Sequence, residues 1–513
     1  MSKLFIAQER AVENAGILIA MPMLDSASCN VKPILGEGSL DIDPFVVAFN
    51  NGRLWFVCDD EEFAKFEKKG IEITKKNPKI IRLLTNQFLV RMSKLNEFTL
   101  KVFNEDLSRK TNKELLEIYQ TYYSLYWDAY PYAEPITWAL RFGFVDELKK
   151  EIESRVKDKK KVEEYALVLT SPTKPSYVNE EEINLLLIIR EIKESETARS
   201  FFLNDPETIK VKLPLLYPSI NLKIEQHTKD YCWVPYDYGS TLWTKDYFLE
   251  IITDNIKKNL DVEGKIKKLQ NRTKALIGKK KEILEELKLD KKTEELFEAI
   301  ADSGYLLDLK KARFTISHYH MKKWFEETAS RLRISQRQFN FMLPEDLENA
   351  IINNIVNRKE LDERYNYCVV YMETGKPTVY YGEEARAYFK QFQTKIDEGK
   401  TELQGTCAHP GSIRGIARIV YSTKDISKMQ PGEILVASMT APDFVPAMRK
   451  AAAIVTDDGG ITCHAAIVAR ELGIPCVVGT KIATKVFKDG DILELHGCSG
   501  VVRKIGGNLL KNV

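Results

Sequence analysis

The chain has 513 residues, 44% of them hydrophobic, and 76 Lys and Arg nearly balance 74 Asp and Glu for a formal charge of +2. That composition excludes general disorder and gives no global pull towards nucleic acid or anionic lipid. No apolar run reaches the ~20 residues that cross a bilayer, residues 15–24 lack the cationic leader of a signal peptide, and the eight cysteines form no CxxC pair. The expectation is a cytoplasmic, multidomain α+β protein of three or four domains at ~100–200 residues each, binding neither nucleic acid nor membrane.

Residues 1–110 read as a small α+β lobe. The runs 45–49 and 53–58 flank Asn50-Asn51-Gly52 and predict a hairpin, since Asn and Gly tolerate the positive φ of a tight turn. Residues 111–400 read as mainly helical and strongly charged. There Ile266, Leu269, Thr273, Leu276, Lys280, Ile283 and Leu287 fall at alternating spacings of three and four, one stripe on one helix face. Lys280 interrupts the stripe, which argues for a helical hairpin or bundle arm over a long coiled coil.

Residues 401–513 read as an α/β domain. Gly405, Pro410 and Gly411 break periodicity and suggest a linker around 395–410. Strands are expected at 416–421, 433–438, 453–456, 476–478 and 492–495, with helices at 442–451 and 463–472. Within this domain, Thr456-Asp457-Asp458-Gly459-Gly460-Ile461-Thr462-Cys463-His464 describes a strand, a tight turn and the start of a helix. Thr462 suits the N-cap, Gly473 the C′ position, and Pro475 prevents continuation. His464 then sits in the first helical turn, expected exposed on the domain rim. Ala465, Val468, Ala469 and Leu472 form the face that packs on the sheet.

A first helical turn favours an added anion through its free N–H groups and the helix dipole. Neutral imidazole, with a reference pKa of ~6.5, is a competent nucleophile towards phosphorus near neutral pH. A histidine there can equally cap the helix or bind a metal. Gly459 and Gly460, with Arg449 and Arg470, are candidate phosphate-binding residues, because guanidinium matches phosphate oxygens. Ion pairs from these arginines to Asp457 and Asp458 are the competing reading. His318 and His320 are two apart and face different sides of a helix, so no metal site is expected. Cys463 reads as a small packing residue, and His409 and His496 as structural or solvated.

The segment from Thr440-Ala441-Pro442-Asp443-Phe444 through His464-Ala465-Ala466-Ile467-Val468-Ala469-Arg470-Glu471-Leu472-Gly473-Ile474-Pro475, continuing to Asp489-Gly490-Asp491, closely resembles the swivelling phosphohistidine domain. That domain occurs in phosphoenolpyruvate synthase, pyruvate phosphate dikinase, rifampicin phosphotransferase and phenylphosphate synthase. The resemblance covers about residues 400–505 and implies that His464 is phosphorylated and that Thr462 orients it. Ile461 stands where phosphoenolpyruvate synthases often have Arg, a departure in the phosphoryl environment. Residues 313–332 and 358–361 resemble the helical segment preceding this domain in rifampicin-phosphotransferase-like proteins. Residues 227–243 resemble a motif of stand-alone relatives. There His227, Trp233, Tyr236 and Asp237 are candidates for an acceptor pocket, with His227 or Asp237 as base; ordinary aromatic packing is the alternative.

The family's nucleotide site is an ATP-grasp domain of several hundred residues, and its phosphoenolpyruvate site a C-terminal barrel. Residues 1–110 are too short for the former, at most a remnant, and the sequence stops at Val513 without the latter. The resemblance therefore implies Mg-ATP on a separate ATP-grasp subunit, no cofactor bound by this chain, and a small organic acceptor. A linker of ~10 residues at ~3.3 Å each reaches about 30 Å, enough for relocation between sites. The expected function is a phosphotransferase component relaying phosphoryl through His464. The other class of reading is a non-catalytic regulatory or binding protein that keeps the domain as an interaction module.

Overall fold

A computed structural model of the chain describes residues 4–11, 17–18, 21, 40, 42, 45–50, 53–140, 143–236, 242–373, 376–390, 400–440, 444–460 and 463–506. Strands β1 (Leu4–Ala11), β2 (Phe45–Asn50) and β3 (Arg53–Asp59) begin an antiparallel sheet. The expected hairpin forms, with Asn50 paired to Arg53 and so part of the strand rather than of the turn; Asn51 and Gly52 lie outside the described residues. The sheet is not complete within 1–110. Strands β4 (Cys368–Glu373) and β5 (Lys376–Tyr381) extend it in the order β1-β3-β2-β4-β5. Phe45, Val47 and Phe49 face one core while Val46 and Ala48 face another beneath the helix Gly382–Lys390. Cover on both faces explains why β2 is apolar throughout rather than alternating.

That first core does not stop at the expected boundary of 110 either: it runs from Ile17 to Met372. Its main helices are α1 (Asp60–Lys76), α2 (Ile80–Asn104), α3 (Lys159–Thr170) and a 41-residue helix, Lys291–Arg331. At 1.5 Å per residue the last is about 60 Å long, and α2 packs along it. Trp324 anchors it, fully buried, its indole N–H donating to the Leu115 carbonyl at 3.0 Å. A second core, spanning 178–269 and joined by Val445, is built by α4 (Tyr177–Glu194), α5 (Pro218–Tyr231) and α6 (Val262–Leu287) among others. The long helix becomes α7 in this order; α6 turns into it at Lys288, in the left-handed region, but packs on α3 and α4 rather than along α7, so the anticipated hairpin is not a packed pair. Lys280 fits the α6 stripe because its ammonium donates to the Leu169 carbonyl at 2.8 Å; burial pulls its pKa down to about 8.

The C-terminal domain is an eight-stranded sheet in the order β6-β13-β12-β8-β9-β10-β11-β7. Strands β8 (Ser412–Ile419), β9 (Ile434–Ala437), β10 (Ala453–Thr456) and β11 (Cys476–Val478) run parallel at its centre. Strands β6 (Glu402–Gln404) and β7 (Thr406–His409) are its edges, beside β13 (Val501–Gly506) and β11; β12 (Ile492–His496) joins β13 to β8. The expected linker is thus partly strand: residues 402–409 pair into the sheet, and 391–399 lie outside the described residues. Helices α8 (Val445–Lys450) and α9 (His464–Leu472) cover one face. A separate cluster around Phe487 covers the other. Among the described residues no helix is long and apolar enough to cross a membrane.

Candidate functional site

The loop after β10 is held rigidly. Thr456 Oγ1 donates to the Asp458 carbonyl at 2.7 Å, and Asp457 accepts from the Thr484 amide at 3.0 Å and from its hydroxyl. Gly459 has φ +120°, and a Cβ there would lie 2.7 Å from Cys463 Sγ. Only glycine fits that turn without displacement. Cys463 is the N-cap of α9, without a side-chain cap, and Gly473 closes the helix in the left-handed conformation. The N-cap is therefore Cys463 and not the expected Thr462; Thr462 lies outside the described residues, so its expected orienting role has no structural description.

Ala465, Val468 and Ala469 pack on the sheet as expected. The opposite face of α9 is not an exposed rim. His464 opens the helix but is only 7% exposed, because this face is seated against the helical body. Ser176 donates to Glu471 at 2.5 Å, and Arg470 to the Ser171 hydroxyl at 2.8 Å. His464 Nδ1 meets Thr440 Oγ1 at 3.0 Å, while Nε2 is buried with no hydrogen-bond partner. Burial, and then the positive charge of Lys311 on α7, hold the imidazole pKa well below 6.5, so the ring is neutral.

The two candidate phosphate arginines are engaged elsewhere. Arg449 reaches from α8 to Glu181 on α4 at 2.8 Å, and His227 Nε2 lies 3.3 Å from the other oxygen of the same carboxylate. Glu181 is fully buried. Burial opposes its ionisation, yet Arg449 and His227 hold its pKa below the usual range. Arg470 also donates to the Ala466 carbonyl at 2.8 Å, and burial draws its pKa down to about 10. Arg449 thus pairs with Glu181 rather than with Asp457 or Asp458.

The acceptor-pocket candidates make the following contacts. Trp233 donates its indole N–H to the Asp230 carbonyl at 2.6 Å and stacks on Tyr177. Tyr236 is buried edge-on to Tyr319, and His227 belongs to the Glu181 cluster. Asp237 lies outside the described residues. A cavity of about 600 Å³ lies elsewhere, between the helical body and the C-terminal domain, and none of His227, Trp233 and Tyr236 lines it. Its wall includes Ile467 and Glu471, one and two turns along α9 from His464, and Asp308 on α7, one turn before Lys311. His409, read as structural or solvated, also lines it. Thr440, Glu181 and Asp308 were not singled out by sequence. Thr440 stood in the matched segment, whereas no local pattern marks the other two. Among the described residues no group of three or more His, Cys, Asp or Glu could hold a metal.

Comparison with known proteins agrees with this geometry over the C-terminal domain. Residues 429–500 match the family described as PEP-utilising enzyme, mobile domain. A probable phosphoenolpyruvate synthase of Archaeoglobus fulgidus is 59% identical over 105 residues, 20% of this chain and 14% of the relative. Phosphoenolpyruvate synthase of Pyrococcus furiosus is 47% identical over 135 residues, 26% and 16% of the two chains. An uncharacterized phosphotransferase of Bacillus subtilis is 33% identical over 169 residues, 32% and 20%. The matches span no more than a fifth of these relatives. The chain therefore carries, at its C-terminal end, a mobile domain similar to that of PEP-utilising enzymes and phosphotransferases.

Proposed function

We propose that the chain relays a phosphoryl group through His464 Nε2, from Mg-ATP on a separate ATP-grasp subunit to an organic acceptor. The observation that carries the reading is the pair of environments on one imidazole: Nδ1 engaged by Thr440, Nε2 buried without a partner. With the ring neutral and Nδ1–H donating to Thr440 Oγ1, the lone pair lies on Nε2. Nε2 attacks phosphorus, the bond from that phosphorus to the nucleotide oxygen breaks, and the nucleotide leaves with the electron pair. In the second step an acceptor oxygen attacks the same phosphorus, the P–N bond breaks and Nε2 recovers its lone pair. Two steps at separated sites divide one transfer into easier ones.

The first step requires His464 to leave the pose in which the helical body covers it. Charge neutralisation by Mg²⁺ and cationic groups, on which phosphoryl transfer depends, then comes from the donor subunit. The test is to incubate the full chain with candidate ATP-grasp subunits and labelled ATP. Label should appear on His464, be lost in acid and kept in base, and be absent from His464→Ala. Label that persists in His464→Ala, or ATP turnover by the chain alone, contradicts the relay.

A further inference from the structure

Neither the helical body nor the C-terminal domain closes the 600 Å³ cavity by itself. One side brings Leu167, Leu269, Arg272 and Tyr305; the other brings His409 and Ile467. The volume and the predominantly apolar wall suit a small organic molecule with a hydrocarbon or aromatic body.

The polar groups in that wall are unequally engaged. Lys279 pairs with Glu164 at 2.5 Å, Lys174 lies over the Tyr305 ring at 4.4 Å, and Glu163 pairs with Lys149 at 2.9 Å. Glu471 takes the Ser176 hydroxyl, and Asp308 lies 3.4 Å from the Tyr177 amide that donates to it. Burial raises the pKa of both acids, that of Asp308 to about 8, so their opposition to an incoming anion is weakened. Arg272 stands apart. It feels the charges of Glu471 and Glu182 but makes no hydrogen bond or ion pair with a described residue. Nearby, His409 Nδ1 is buried with no hydrogen-bond partner; burial first, then Arg470 and Arg272, lower the pKa of the ring, against backbone hydrogen bonding at Ile474 and Pro410. A cation and a ring nitrogen without partners, in an apolar chamber, leave an anion's place open.

We infer that the cavity binds an organic anion with an apolar body, its head on Arg272 and His409, and that this ligand holds the C-terminal domain docked. The second half follows from the first. Because the two halves of the site belong to different domains, the ligand binds the docked arrangement alone and shifts the population towards it. The ligand thereby keeps His464 covered. This binding site stands whether or not His464 carries phosphoryl.

Anilinonaphthalene sulfonate, an aromatic anion, is a suitable probe for the full chain. It should bind at one saturable site, and Arg272→Gln should weaken binding roughly tenfold, the size expected for losing a charge-assisted contact. Arg272→Lys, which keeps the charge, should bind more tightly than Arg272→Gln, and uncharged phenylnaphthylamine should bind the unmodified chain more weakly than the sulfonate. Helix α8 does not line the cavity, so slower amide hydrogen exchange there with dye present reports docking rather than contact. Equal dye affinity in Arg272→Gln, or an uncharged probe that binds as well, overturns the anion site. Unchanged exchange in α8 overturns the hold on docking.

Discussion

Two titratable groups near the seam between the domains respond to pH in opposite senses. His464 has its pKa lowered by burial and by Lys311, so acid favours states in which the ring is released to water and protonated. Asp308 has its pKa raised from 3.8 to about 8, by burial first and by Glu471 second. Its folded form keeps a proton that the unfolded chain loses, so its contribution is fully present below about pH 4 and is lost as pH rises towards about pH 8. Asp308→Asn removes that dependence while keeping an acceptor for the Tyr177 amide. Urea denaturation should show the variant more stable than the parent by at least ~1 kcal/mol at pH 8, with the difference fading near pH 4. His464 is common to both proteins and cancels in the comparison. A constant difference across that range would mean that Asp308 is ionised in the folded chain.

At the scale of elements, the turn from β10 into α9 depends on a backbone that only one residue type tolerates. Gly459→Ala would place a Cβ 2.7 Å from Cys463 Sγ at φ +120°. At Gly432, by contrast, φ is +89° and nothing lies within 4 Å of an added Cβ, so that substitution meets backbone strain alone. Gly459→Ala should lower the stability of the C-terminal domain by ~1–3 kcal/mol, and by more than Gly432→Ala, in denaturation followed by hydrogen exchange. Equal effects would place the whole penalty in φ. This turn was readable from sequence because everything that shapes it lies within a few residues. The short apolar runs of β9, β10 and β11 and the α6 stripe were readable for the same reason. What escaped was non-local. Strand β2 pairs with β4, more than three hundred positions away, and no property of either strand names its partner. The edges β6 and β7 are only three and four residues long and bury one side chain each, Leu403 and Ala408, so a Gly and Pro cluster beside them read as a linker. Likewise, the aromatic density of 227–243 carried no sign that His227 would meet a carboxylate of α4.

Across the whole molecule, one carboxylate joins the mobile domain to the helical body. Glu181 has no exposed surface, and Arg449, 268 positions away, supplies its closest cation. Around this pair, Val445 of α8 enters the second helical core, and Ser171 and Ser176 bond α9. Apolar contact at Val445 favours docking without specifying when it ends, whereas a buried charge is stable only while its partner stays. Arg449→Met removes the cation and leaves Glu181 to His227 alone, so the docked arrangement loses more than the released one, in which water solvates the carboxylate. Release exposes His464, and diethyl pyrocarbonate, which acylates neutral imidazole, measures that exposure by peptide mapping. His464 should react roughly tenfold faster in Arg449→Met than in the parent chain, the effect of shifting the docking equilibrium by ~1.4 kcal/mol. Arg449→Lys should fall between the two, since it restores the charge without the planar fork. His318, stacked on Tyr126 within the helical body, serves as the internal reference and should be unaffected. If His464 reacts equally in the parent and in Arg449→Met while His318 stays protected, the ion pair does not govern docking, and the apolar contact at Val445 becomes the next element to vary.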